Sequence, residues 1–350
     1  MPQKFSDEFS RVKSLVAGLT VSVPIVAMVI QPFARLDAET DLNATLAALA
    51  KELFAKLKAI RRPEDYAQMA QAYEAYSEVL LYFAMRDRGV LIERTPGTGG
   101  HGQKRPDFRH LHGAGYIYFE LKALEIFDPL SRHKQMAEEA LEIAAELDGR
   151  AKTPGVHFGR PQEISGYIPR IGVAERIDET IEKILNNVKH GQIEYGPTVL
   201  VIDLGRLGSM PFGPSSLLPV FFHDGPPAES AVTGELWQVA LGSPGEQIFS
   251  LPEFDGKSNL GGHQRRGGVL REFPSLVGIT FLLPHWQHNP ELLTIWNPGW
   301  DQSRLANPCE LQEHDIEELL AKYSDGLNDR RNELGWPYRV YPIREEQGPQ

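Results

Sequence analysis

The sequence predicts an α/β protein, and three stretches carry that prediction. Leucines at 42, 46, 49, 53 and 57 recur along one helical stripe, and Met69, Tyr73, Tyr76, Leu80 and Phe83 do the same in the next segment. Residues 104–124, KRPDFRHLHGAGYIYFELKAL, alternate polar and apolar positions on both sides of a glycine-containing turn, the pattern of a β-hairpin. The helical segment 174–189 is followed by TVLVIDL at 198–204, an apolar run with the length and β-branching of a buried strand. Helices and strands interleaved in this order cover the faces of a sheet.

Composition narrows the functional classes. A chain of 350 residues buries a large core, as one elaborated domain or two ordinary ones. With 36 basic and 47 acidic residues the net charge is −11, which excludes attachment to nucleic acid through overall charge. A local patch remains, because residues 94–134 hold seven Lys/Arg against four Asp/Glu, plus four histidines. A lone cysteine, Cys309, excludes an internal disulfide and fits a reducing, cytoplasmic setting as a buried free thiol. The only membrane-like run, 15–30, is interrupted by Gly18, Thr20, Ser22 and Pro24. It reads as a buried strand or helix, so no membrane partner is expected.

Residues 1–62 are expected to form a helical extension ended by Pro63, packed on the core or on a second copy of the chain. Its apolar run and leucine stripe make a homodimer the expected assembly. The helix that follows, about 68–88 and stopped by Gly89, carries Glu74 and Glu78 one turn apart; taken alone they make a solvated face. A short strand is expected at 90–94. The loop TPGTGGHGQK at 95–104 has the glycine spacing of a phosphate loop, but Gln103 stands where the lysine belongs and a strand follows instead of a helix. It reads as the lip of a nucleic-acid cleft, with Lys104, Arg105 and Arg109 as phosphate contacts, or else as an ordinary mobile connection.

In the hairpin, strands 106–111 and 116–124 flank the turn residues 112–115. Pairing Leu111 with Tyr116 makes opposed residue numbers sum to 227, so Asp107 faces Glu120, Arg109 faces Tyr118 and Arg105 faces Lys122. Alternation puts Tyr118, Glu120 and Lys122 on that same face and Ile117, Phe119, Leu121 and Ala123 on the core side.

Pro106-Asp107 followed by Glu120-Leu121-Lys122 resembles the signature of the PD-(D/E)XK nuclease superfamily, with its restriction-endonuclease-like fold. Glu78 on the preceding helix matches the family's helix acid, and the element order and spacing look most like the Holliday-junction-resolvase branch. The resemblance covers about 66–204. It implies an αβββαβ core with a central mixed sheet, a helical N-terminal extension (1–62), a nuclease core (63–205) with an insertion at about 124–176, and a β-rich C-terminal extension (206–350). Residues 133–147 are expected as an acidic helix and 148–170 as a loop. In the family the helix at 174–189 often lines the cleft, which implies phosphate contact by Lys183 or Lys189; a solvated face is the other reading. Asp203 is assigned to a turn or hydrogen bond.

Beyond 205, strand-like runs at 217–222, 236–241, 276–283 and 292–296 are expected to extend the sheet. The basic, glycine-rich stretch 257–271 suits a loop touching a nucleic-acid backbone or a solvated loop. His285, His288 and His314 are a weak zinc set, since no cysteine pair accompanies them. A polar helix is expected at 315–334.

The chemistry that fits these residue types is phosphodiester hydrolysis with Mg2+ (or Mn2+). Two carboxylates, Asp107 and Glu120, suffice for a hard divalent ion that keeps most of its waters. By the resemblance, Leu121 adds its backbone carbonyl and Glu78 supports a second ion. Lys122 is a point charge that orients the attacking water and stabilises developing negative charge. The expected activity is that of a metal-dependent DNA endonuclease. The competing reading of the trio is an exposed salt-bridge row, and the competing function is an inactive nuclease-like module that binds nucleic acid or a protein partner.

Overall fold

The leucine stripe has a partner within its own chain. In a computed structural model describing residues 4–17, 23–39, 43–96, 105–124, 173–205, 219–221, 232–249, 260–283, 290–307 and 310–327, the N-terminal part forms α1 (Phe5–Val16), α2 (Gln31–Ala38), α3 (Ala44–Ala59) and α4 (Tyr66–Asp87). Expectations for Lys104 and its loop, residues 133–170, His285, His288 and Cys309 lie outside those residues. Helix α3 starts where the Asn43 side chain accepts the Leu46 amide at 2.8 Å, an N-cap that satisfies one orphan donor. Its Leu46, Leu49, Leu53 and Leu57 are buried in one core with Met69, Tyr73, Tyr76 and Leu80 of α4. The stripe is therefore spent inside the chain, and the surface argument for a homodimer loses that support. Helix α4 stops at Gly89, whose φ of +74° is the left-handed conformation that glycine adopts without strain.

The strands are β1 (Glu93–Arg94), β2 (Phe108–His112), β3 (Gly115–Ala123), β4 (Thr198–Asp203), β5 (Pro219–Phe221), β6 (Val232–Gly234), β7 (Gln247–Phe249), β8 (Leu260–His263), β9 (Leu276–Leu283), β10 (Glu291–Trp296) and β11 (Gly326–Leu327). A seven-stranded mixed sheet runs in the order β1-β2-β3-β4-β9-β10-β11, while β5/β6 and β7/β8 are separate antiparallel pairs. Strand β4 is parallel to both neighbours, β3 and β9. The β2/β3 hairpin has the expected register, Leu111 opposite Tyr116 and Phe108 opposite Phe119, around a turn with Gly113 at φ +55°.

Two apolar layers cover the sheet. Ile117, Phe119 and Leu121 of β3, with Val199 and Val201 of β4, share a core with α1–α4 and the C-terminal helix Glu313–Tyr323. Leu200 and Ile202 face the other way, into a core shared with α5 (Val173–Asn187), α6 (His190–Ile193), α7 (Glu235–Leu241) and α8 (Val269–Glu272); the C-terminal helix is α9. Arg176 of α5 and Glu235 at the start of α7 form a buried two-point ion pair in that second layer, Nε to Oε2 at 2.8 Å and Nη2 to Oε1. Asp203, fully buried at the end of β4, accepts from the Ser77 hydroxyl, the Tyr73 hydroxyl at 3.4 Å and the Gly205 amide at 2.7 Å, the hydrogen-bonding role assigned to it. Among the described residues no helix is long and apolar enough to cross a membrane.

The structure corrects several elements. Residues 236–241 are helix α7, not a strand; every residue of α7 is buried, so its composition has no periodicity to separate helix from strand. Of the run at 217–222 the described residues are β5, which pairs with β6 outside the seven-stranded sheet. Helix α9 starts with a capping box between Gln312 and Asp315 and ends at Tyr323 instead of reaching 334. There Asp325 takes the Leu292 amide at 2.7 Å and the Arg88 guanidinium at 2.6 Å, turning the chain into β11. In the basic stretch 257–271, Arg265 lies 3.7 Å from Glu175 and 3.6 Å from Asp178, and Arg266 lies 3.1 Å from Glu182. These arginines are occupied with the acidic flank of α5.

Candidate active site

Asp107 sits where the β2 ladder gives out. The last paired residues are Phe108 and Phe119, so the Leu121 amide lies beyond the reach of β2's backbone, and Asp107 Oδ2 accepts it instead at 2.9 Å. The Asp107 carbonyl accepts the Thr95 amide at 3.0 Å, fixing the strand end from its other side. Continuing the ladder by one step puts Asp107 opposite Glu120, and Lys122 follows on the same face.

Glu120 is 0% exposed. Its Oε1 accepts from the Lys122 ammonium, whereas Oε2 is sealed from solvent without a hydrogen-bond partner. Burial, reinforced by the nearby Asp107 charge and opposed by Lys122, lifts its carboxyl pKa to about 7. Burial also raises the Asp107 carboxyl, against the Leu121 amide and the Lys122 charge that favour ionisation. The two carboxyls titrate as a pair that resists carrying two negative charges with one lysine beside it. An exposed salt-bridge row would behave differently, since solvent would screen it and leave no oxygen stranded.

Glu78, the predicted helix acid, approaches the pair from α4 through a basic intermediary. Arg94 of β1 donates to Glu78 and, at 2.8 Å, to Glu52 of α3. Burial raises the Glu78 carboxyl to about 7, with Arg94 opposing the rise and the charge of Asp107 adding to it. Asp107, Glu120 and Lys122 are thus brought together, and Glu78 stands behind Arg94. Among the described residues no group of three or more His, Cys, Asp or Glu is placed to hold a metal ion. Two hard carboxylates, one with an unused buried oxygen, still fit a magnesium-type ion that takes one or two carboxylates and retains water. The Leu121 side chain is buried in the α1–α4 core, which leaves only its backbone for the site.

The predicted phosphate contacts divide. The extended register placed Arg105 opposite Lys122, but the ladder ends at Phe108; the Arg105 guanidinium turns instead to the Pro96 carbonyl and lies 5.3 Å from the Tyr195 ring. Arg109, opposite Tyr118 as expected, donates to Glu93 at 2.7 Å and covers the Tyr116 ring at 4.3 Å. Lys189 is exposed immediately before α6. Sequence reasoning passed over Arg94, Tyr195 and Gln192, whose side-chain amide holds the Arg105 carbonyl at 3.2 Å. None of the three had a readable signal, because the register that sets Arg94 opposite the buried Phe108, on the helix side of the sheet, appears only in the fold.

Comparison with family models, curated proteins and solved structures finds no match for the chain. The arrangement itself offers paired acids of raised pKa, an adjacent ammonium and flanking guanidinium groups. That set suits a substrate carrying negative charge on oxygen.

Proposed function

We infer that the chain is a metal-dependent nuclease of the PD-(D/E)XK type, a DNA endonuclease hydrolysing phosphodiester bonds. The observation that carries this reading is the stranded, fully buried Oε2 of Glu120 beside Asp107 and Lys122. A protein leaves a carboxylate oxygen unsatisfied in its interior at a cost, and catalytic pockets are where that cost recurs. Element order among the described residues adds support: helix α4, strands β1, β2 and β3, helix α5 and strand β4, with β3 and β4 parallel, follow the αβββαβ order that the resemblance implies.

In this reading Asp107 and Glu120, with the Leu121 carbonyl, would hold Mg2+ or Mn2+. Such an ion supplies neutralisation of phosphate charge and a nucleophile at neutral pH. Lys122, partly exposed beside the buried Glu120, would orient the attacking water and offset charge building on the phosphoryl oxygens. The Leu121 amide holds the Asp107 carboxylate in one orientation. Arg94 pairs with Glu78 and Glu52, which lowers the negative charge that a phosphate would meet.

The test is incubation of the protein with plasmid, linear duplex, single-stranded DNA and RNA, each with Mg2+, with Mn2+ and with chelator. Expected is metal-dependent cleavage that disappears in Asp107→Ala and Lys122→Ala variants that melt as the wild type does. No cleavage of any substrate overturns the reading. One observation favours an inactive binding module instead: Asp107 Oδ2 and Glu120 Oε1 already have protein partners. That module would bind nucleic acid with a salt dependence unaffected by metal or by loss of the carboxylates.

A further inference from the structure

The face of β3 that carries Glu120 and Lys122 continues, at the hairpin end, into Tyr118 and Tyr116. These rings are half-buried, and neither belongs to the apolar cores. Tyr118 meets Tyr195 edge-on, with ring centroids 5.1 Å apart and planes at 87°, and lies 6.4 Å from Tyr116. Its ring rests against the backbone of Gly196, where an added Cβ would come within 2.6 Å of Cε2; glycine there lets the ring lie down and holds it in place. A guanidinium stands at each end of the row, Arg109 over Tyr116 and Arg105 over Tyr195. With a strand rise of about 3.4 Å per residue, Tyr118 and Tyr116 stand about 7 and 14 Å from Glu120 along one line.

Rings that only complete a fold bury their faces in the core, and arginines that only balance charge need no aromatic support. A partly exposed row of three tyrosines, bounded by cations and leading into paired acids, has instead the composition of a stacking platform. A base-paired duplex keeps its base faces stacked on one another and presents only its backbone and groove edges to such a row. Resting on the nuclease reading of the same site, we propose that this row binds a nucleic-acid strand with unpaired bases and feeds its backbone to Asp107 and Glu120. The substrate class is then single-stranded or frayed nucleic acid.

The test measures fluorescence anisotropy of fluorescein-labelled oligothymidylate with the full chain in chelator, so that binding is read without cleavage. A blunt duplex of equal length and an oligomer of abasic residues serve as comparators. Expected is tighter binding of the oligothymidylate than of either comparator. Tyr116→Leu and Tyr118→Leu should each weaken it by about 5- to 150-fold, the range measured for one stacked base. Tyr→Phe at either position should restore affinity, and the abasic oligomer should bind the Leu variants and the wild type alike. Because Tyr118 leans on Gly196, a lowered melting temperature in its Leu variant leaves the decision to Tyr116→Leu and the abasic oligomer. Equal affinity for duplex, or Leu variants that bind oligothymidylate like the wild type, overturns the proposal. Metal-dependent duplex cleavage that persists in those variants would show the nuclease reading right and this one wrong. Stacking-dependent binding without any cleavage would show the reverse.

Discussion

Replacing Glu120 with glutamine separates a strained, ligand-ready carboxylate from a satisfied ion pair. In the unfolded chain this carboxyl loses its proton near 4.5, and in the fold only near 7. Between those values the folded protein holds a proton that the unfolded chain has released, so stability falls as pH rises across the window and the deficit is complete above 7. The difference of about 2.5 pH units, at 1.36 kcal/mol each, makes ionised Glu120 a burden of up to about 3 kcal/mol at pH 8. Glutamine keeps the shape without the charge. In chelator, Glu120→Gln should therefore melt above the wild type at pH 8, by the equivalent of about 1–3 kcal/mol, and level with it near pH 4.5. Its melting temperature should also vary less between those pH values. Adding Mn2+ at pH 8 should raise the melting temperature of the wild type and leave that of Glu120→Gln unchanged. Thermal melts followed by circular dichroism across pH read all of these. A variant that melts below the wild type at pH 8 as far as it does at pH 4.5 would refute the reasoning, because Glu120 would then be contributing through its bond to Lys122.

Asp107→Ala and Lys122→Ala should each lower the rate of metal-dependent cleavage at least about a thousandfold, corresponding to several kcal/mol of lost charge stabilisation, in a single-turnover assay on labelled DNA. Arg176→Met should cost about 3–5 kcal/mol in urea denaturation at about pH 8, because it takes from the buried Glu235 carboxylate the guanidinium that opposes its raised pKa; the double replacement Arg176→Met, Glu235→Leu should recover most of that loss. Asn43→Ala should destabilise the protein by about 1 kcal/mol by removing the cap of α3, a change read by the same denaturation curves.

The hairpin was legible because two short-range rules act on it together. A strand's period of two and the length of the turn leave one register that puts Phe119 inside and Glu120 across from Asp107. Asp203 was legible as a hydrogen-bonding group from its place at a strand end, although its partners Tyr73 and Ser77 come from a helix over a hundred residues earlier. What escaped depended on tertiary neighbours. The leucines of α3 announce a helix, but an amphipathic stripe does not say whether its partner is α4 or a second chain. The end of α9 is set by what Asp325 finds on Arg88 and Leu292; the turn dipeptide Asp325-Gly326 marks that stop locally, and the expected helix was carried past it. Arg94 becomes part of the site only when α3 and α4 bring Glu52 and Glu78 to the same guanidinium.

The position of β4 at the centre of the sheet bears on how the protein is made. The hairpin β2/β3 joins neighbouring residues, and β4, which begins 75 residues after Ala123, docks on it as the next strand of the sheet. The other edge of β4 waits for β9, which begins 73 residues after Asp203. At ribosomal speeds of about 5–20 residues per second, that edge stands open for about 4–15 seconds, presenting the apolar run TVLVID with its backbone unpaired. Every proposed catalytic residue has by then been synthesised, so a fragment ending near 205 would possess the whole chemical apparatus on an unfinished sheet. Such a fragment should aggregate instead of cutting, and the segment after 205 serves the site as the seal that makes its sheet soluble.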